Sequence, residues 1–296
     1  MRKYLETLLK DHHYPEISVN GILSTYDKIM ENEETKTLLE NVVHTYENST
    51  FLREEDIDGL VTEIAEKTTA HLFTVKLTCL LCMTKELCRR LAERGFDEQT
   101  IFLTIADFKF KSLETYDLYG IIGVSEWDWF FGFFQLERFA FGRLQFEIVK
   151  FRLPHYEKDG LELTEESDVI NVHIPKSDIP FTVIECMLAY EKAKMYFSNR
   201  FNTNKLPFVC WSWLLYPPNE QILPETSNIV QFMRKYDIIE MEEYGETYNP
   251  VAHILFNREK MGDVATLPQD TSLRKRYAEF LQKGGKTGWG YGVFFL

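Results

Sequence analysis

Nowhere do the 296 residues approach eighteen consecutive apolar positions, so no membrane-crossing helix is expected. The most apolar-looking run, Trp127 to Phe134, is broken by Asp128 and is too short. The first ten residues, MRKYLETLLK, lack the continuous apolar region, roughly 7–15 residues, of a secretion signal. Cysteine is scarce and odd in number. Of the five, Cys79, Cys82 and Cys88 fall in one expected helix, while Cys186 and Cys210 stand alone. That argues against a disulfide scaffold and for a reduced, cytoplasmic protein. Positive charge is the minority: 33 Lys and Arg against 46 Asp and Glu leave a formal charge of −13. Such a chain repels phosphate backbones, so no nucleic-acid partner is expected, although a local basic pocket for one small anion is not excluded.

Several motifs are also missing. There is no G-x-S-x-G, and hence no nucleophile elbow for serine-hydrolase chemistry. Gly285-Lys286-Thr287 ends like a phosphate-binding loop, but Phe280 stands where that motif needs its first glycine. Cys79-x-x-Cys82 has the spacing of half a zinc site. It lies mid-helix among leucines with no second pair, so buried thiols without metal are expected.

What is present is apolar residues and rings. The chain is 45% hydrophobic and 27% charged, enough for a sizeable core, and carries 23 Phe, 15 Tyr and 5 Trp. Each ring buries roughly 150–250 Å², so much of that core should be aromatic. Up to about residue 140 the apolar positions recur at helical spacing, as in Ile22, Leu23, Tyr26, Ile29 and Met30. Asp56 and Asp97 read as N-caps of following helices. His71 to Leu91, ended by Gly95, is the most apolar helix.

The character changes at Glu126. The next 26 residues hold eight Phe and two Trp, first with helical spacing (Trp127, Phe130, Phe131, Phe134) and then alternating as a strand from Leu144 to Phe151. The simplest reading of these rings is a junction at which the last helix covers one face of a sheet. Strands and helices then alternate. Strands are expected at Val169–Ile174, Phe208–Leu215, Ile238–Met241, Val251–Phe256 and Val293–Leu296. Helices are expected from Pro180 to near Asn202, over Ser227–Tyr236 and over Ser272–Gln282. The predicted fold class is therefore α+β: an all-helical domain over residues 1–140, then an α/β domain with a mixed sheet over 141–296.

Four strings carry a resemblance: FGRLQFE at Phe141–Glu147, NVHIP at Asn171–Pro175, SWLL at Ser212–Leu215 and SNI-x-x-F at Ser227–Phe232. In order and spacing they resemble a bacterial family of acyltransferases, in which a helical N-terminal domain precedes a domain similar to the GNAT acyl-CoA-dependent N-acyltransferases. The resemblance implies acyl-CoA or acetyl-CoA as co-substrate, no metal, and a small amine-bearing molecule as the other substrate. It also implies that coenzyme A lies where strand Val169–Ile174 splays from Phe208–Leu215. Its thioester would sit beside Asn171 and His173. Its phosphates would meet the loop at Lys176 and Ser177, before a helix whose amino end favours anions. The strands at Ile238 and Val251 would form the closing hairpin. This loop departs from the family pattern: it lacks the Q/R-x-x-G-x-G/A glycines, and Asp178 and Pro180 oppose phosphate binding.

N-acyl transfer needs a base for the amine and an acid for the leaving thiolate. His173 titrates near neutral pH and is the first base candidate, with Glu147 the second. Ser212 is a candidate acid, on the expectation that the strand face opposite Trp211 and Trp213 forms the cleft. Tyr236, at a helix end, takes the position of the acid tyrosine of many GNAT enzymes. A second reading stays open beside this one: a non-catalytic GNAT-like protein that binds a ligand or partner in an aromatic cleft.

Overall fold

The computed structural model describes residues 1–201, 203–245 and 249–296. The described residues divide into two compact units, Met1–Ala140 with Pro175–Ser177, and Phe141–Ile174 with Asp178–Leu296.

The first unit is helical up to its last residues. Its helices are α1 (Arg2–Asp11), α2 (Glu16–Met30), α3 (Glu33–Asn48), α4 (Asp58–Thr68), α5 (Leu72–Glu93), α6 (Glu98–Tyr119) and the single turn α7 (Phe131–Phe134). Asp97 caps α6 by accepting from the Thr100 N–H at 2.6 Å. Asp56 is not the cap of α4. It lies in a 3₁₀ turn, where it accepts from the Arg53 N–H, and Ile57 precedes the helix. The central α5 buries residues all round, Leu77, Leu80, Leu81 and Met83 among them. Cys79 and Cys82 lie within that core, and burial pushes the Cys82 thiol up to about 12. The rings after Glu126 pack onto the bundle. Phe130 and Phe134 meet Phe108 of α6 at 4.6 and 5.8 Å, and Phe134 meets Tyr46 of α3 at 5.0 Å.

Strands begin only at β1 (Arg138–Phe141), followed by β2 (Leu144–Lys150), β3 (His155–Lys158), β4 (Leu161–Thr164) and β5 (Asp168–His173). After them come α8 (Val183–Phe197), β6 (Pro207–Ser212), α9 (Asn219–Ile222), α10 (Asn228–Met233), β7 (Asp237–Glu243), α11 (Pro250–Phe256), α12 (Ser272–Gln282) and β8 (Gly288–Phe295). One mixed sheet has the order β1-β2-β5-β6-β8-β7, and β3-β4 is a separate hairpin. β5 runs parallel to β6, while the pairs β2–β5, β6–β8 and β7–β8 are antiparallel. This is the helical-then-mixed-sheet architecture expected from the sequence.

Several elements differ from their sequence-based expectation. Val251–Phe256 is helical, because Pro250 occupies its first turn and the Asn249 side chain caps it through the Val251 N–H. The partner of β7 is therefore β8, not a strand at Val251. β8 begins five residues before Val293, since its glycines admit close neighbours: a Cβ on Gly290 would lie 2.2 Å from the Leu215 carbonyl oxygen. β6 ends at Ser212 and turns into a 3₁₀ helix over Trp213–Leu215. α8 starts after its cap Thr182, not at Pro180, and ends at Phe197, while the expected end at Asn202 lies outside the described residues. α10 stops at Met233, short of Tyr236.

The sheet buries both faces. On one, Phe146 and Phe208 pack against Tyr190 of α8 at 5.7 and 5.1 Å. On the other, Phe151, Val169, Val209, Tyr291 and Val293 cluster with Leu163 of the β3–β4 hairpin.

Candidate active site

The polar residues of β2 and β5 interrupt this second face. Register places Glu147 opposite Asn171 and Gln145 opposite His173. Side chains two apart share a face of a strand, so all four lie on one side, in line with Val149 and Val169. There His173 Nε2 lies 2.7 Å from Glu147 Oε1. Asn171 Nδ2 donates to the same oxygen at 3.2 Å and lies 3.2 Å from His173 Nε2. The cluster is partly screened from water, with the His173 and Glu147 side chains 21% and 15% exposed. A carboxylate that takes two hydrogen bonds in such surroundings fixes the imidazole's orientation and stabilises its protonated form.

The cluster sits where two parallel strands part. β5 and β6 are joined at Ile170–Phe208 and Asn171–Val209, and the ladder goes no further. Both strands continue beyond that point, to His173 and to Ser212, without pairing to each other. The carboxyl ends of diverging parallel strands are where α/β sheets receive ligands.

Asn171, His173 and Glu147 are thus brought together. The two acid candidates are elsewhere. Ser212 is two residues from Cys210 and four from Phe208, so strand alternation turns it to the α8 face, while Trp211 takes the face of the cluster. Ser212 therefore does not share a face with His173 and Glu147, where the expected cleft would have placed it beside them. The Ser212 hydroxyl caps the following 3₁₀ helix, accepting from the Leu214 N–H at 3.2 Å. Tyr236 lies beyond the end of α10, 6% exposed, its hydroxyl bonded to that of Tyr190. Burial drives the Tyr236 phenol well above its ordinary range, and the bond ties it to the α8 core.

The loop from Pro175 to α8 holds the remaining candidates. Lys176 Nζ lies 3.4 Å from Asp117 Oδ2 of α6, so its charge is already partnered. At the amino end of α8 the Thr182 hydroxyl accepts from the Glu185 N–H at 3.2 Å, which satisfies one of the donors an anion would use. Among the described residues no group of three or more His, Cys, Asp or Glu side chains could hold a metal ion.

Trp211 is the residue whose setting the sequence did not reveal. It does not share a buried face with Trp213: Trp213 is 9% exposed in the core, whereas Trp211 is 58% exposed. The Trp211 indole meets the edge of Trp289 at 5.3 Å. Arg152, paired with Glu240 at 2.8 Å, lies over both rings. A strand that turns into a 3₁₀ helix at Ser212 separates the two indoles, and no spacing rule in the sequence marks that turn.

Residues 139–294 match the family model of the GNAT-like C-terminal domain, and residues 3–136 match that of the N-acyltransferase N-terminal domain. The chain belongs to the family that joins these two domains. Its fold is shared by a crystal structure of an acyltransferase in complex with decanoyl-CoA, at 20% identity over 98% of this chain and 86% of that one, with a TM-score of 0.73. A mutant acyltransferase in complex with octanoyl-CoA is similar at 19% identity over 99% and 88%, TM-score 0.73. An acyltransferase in complex with decanoyl-CoA and teicoplanin is similar at 18% over 98% and 87%, TM-score 0.71. At these identities the likeness is one of fold. No curated protein sequence matches the chain.

Proposed function

We propose that this protein is an acyl-CoA-dependent N-acyltransferase in which His173 and Glu147 act together as the base. The observation that carries the reading is the 2.7 Å contact between them at the point where β5 and β6 part. The family and the acyl-CoA complexes of proteins with this fold support it.

In the reaction the amine nitrogen bonds to the thioester carbonyl carbon, the C–S bond breaks, and the thiolate leaves and takes up a proton. The pair contributes at the nitrogen. One proton already lies between His173 Nε2 and Glu147 Oε1. When the imidazole takes a second from the amine, the adjacent carboxylate stabilises the resulting cation, and Asn171 holds that carboxylate in place. The gap between β5 and β6 suits an extended pantetheine arm, which can bond to strand backbone. Lys176 and Ser177, three and four residues beyond His173, are proposed for the phosphate end, where Lys176 would exchange Asp117 for phosphate.

The test is release of coenzyme A thiol from octanoyl-CoA in the presence of primary amines. The wild-type protein should release thiol, and His173→Ala should lower kcat by ~10²–10⁴-fold, the usual contribution of a positioned base. The glycine-poor loop and the partnered Lys176 favour the alternative, a binding protein without turnover. That reading predicts thermal stabilisation by octanoyl-CoA, ~2.7 kcal/mol at 100 times its dissociation constant, with no thiol released.

A further inference from the structure

Beside the base pair lies a polar group that the mechanism above does not use. Gln145 is 1% exposed, and its Oε1 has no hydrogen-bond partner. It stands directly opposite His173 across the β2–β5 ladder, on the face that carries Glu147. Directly opposed residues hold their Cβ atoms only ~4.5–5.5 Å apart. A buried carbonyl oxygen without a donor destabilises the free protein, and a ligand that supplies the donor regains that loss on binding.

From this geometry we infer that Gln145 positions the acyl acceptor and selects an amine over an alcohol. The inference rests on the acyl-transfer reading and deepens it. Register sets two hydrogen-bond acceptors on one face of neighbouring strands here, Gln145 Oε1 and the His173–Glu147 base. A primary amine enters as its ammonium, whose three N–H bonds allow it to give one to Gln145 and another, the proton that is removed, to the imidazole. An alcohol has a single O–H. If its proton goes to the base, Gln145 stays unsatisfied; if it goes to Gln145, the base has nothing to remove. After proton transfer the amine still holds an N–H on Gln145, which keeps its lone pair in a fixed direction while the new C–N bond forms. Gln145 is thus a positioning residue, and the proton itself moves to His173.

The test compares wild type with Gln145→Met, which keeps the length of the side chain and removes its polar end. Direct binding of hexylamine and of hexan-1-ol is measured by calorimetry on the whole chain without acyl-CoA, so the result does not depend on turnover. Wild type should bind the amine more tightly than the alcohol. The variant should lose about tenfold in amine affinity, as expected for one hydrogen bond to a charged group, with its affinity for the alcohol unchanged. Its melting temperature should not fall, because a buried unsatisfied group has been removed. If wild type shows no preference for hexylamine, if the variant keeps its amine affinity, or if it melts several degrees lower, the inference is overturned. Thiol release from octanoyl-CoA, measured separately, reports on acyl transfer. Its absence alongside the expected binding pattern would count against turnover and leave the assignment of Gln145 standing.

Discussion

His173 and Glu147 meet diagonally across an antiparallel ladder. Glu147 is level with Asn171, and His173 is level with Gln145, so the contact runs two residues along the strand. Diagonal pairs lie further apart than opposed ones and suit long side chains. The reach of Glu147 closes the gap to 2.7 Å while leaving Asn171, between them on β5, to bond to the same oxygen. The pairing is a consequence of register, and a slip of one residue between the strands would leave the two side chains on opposite faces of the sheet.

If the pair works as a unit, its substitutions will not add. Glu147→Gln keeps the shape and removes the charge that stabilises the protonated imidazole, and should lower kcat by about 10²-fold or more. His173→Ala should lose more. The double variant should be no slower than His173→Ala alone, as measured by steady-state thiol release. Additive losses would mean that the two residues act independently.

The reassignment of Tyr236 makes the opposite forecast. Tyr236→Phe removes one hydroxyl from a buried pair and leaves that of Tyr190 without its partner. The expected cost is about 1–3 kcal/mol of stability by urea denaturation, with kcat unchanged. Ser212→Ala should behave alike on a smaller scale, losing about 1 kcal/mol through its cap and nothing in turnover. A fall in kcat for either variant, with KM steady, would restore it as the acid.

Which parts were legible in the sequence follows from where each signal resides. β2, β5 and α12 show in their own periodicity, and α8 in its apolar spacing, because burial on a defined face writes itself into each segment. The hairpin β3–β4 does not show in the sequence: its strands are four residues each, β3 is largely exposed, and the single Leu161–Leu163 alternation of β4 is too short to mark a strand. Val251–Phe256 misled because Val, Ile and Phe favour strands, whereas the deciding signal was the Asn249-Pro250 start just before them. The GWGYG run of β8 hid a strand behind glycines needed for close contact with Leu215. In the site, the chemistry of His173 and Glu147 could be read residue by residue. Their partnership, the solitary oxygen of Gln145 and the exposure of Trp211 could not, since all three depend on which strand lies beside which.

Thiol reactivity gives an independent check of the helical core. Burial raises Cys79 and Cys82, the latter to about 12, so neither offers thiolate at pH 8. Both should resist an aromatic disulfide reagent in the native protein and react at once in denaturant. Cys88, less buried on the same helix, should react first. Rapid native labelling of Cys82, located by peptide mass analysis, would contradict the packing described for α5.

The pH dependence of stability should carry the mark of His12. Its ring is 6% exposed, stacks on Phe102 at 4.2 Å, and has no hydrogen-bond partner at Nδ1. Burial, assisted by the Lys109 ammonium and opposed by Asp11, lowers it from 6.5 to about 4. Because the native value is the lower, the unfolded chain binds the proton more readily, and stability must fall as pH drops through the interval between the two values. No loss is expected above about pH 7. Between pH 7 and 4.5 this one imidazole should withdraw about 2 kcal/mol, a loss that levels off below pH 4 once both states are protonated. His12→Phe preserves the stack and removes the titration. Its urea-denaturation free energy should therefore fall less than that of wild type over the same range, by about 2 kcal/mol. Parallel pH profiles for the two proteins would show that His12 is protonated at little cost in the native state.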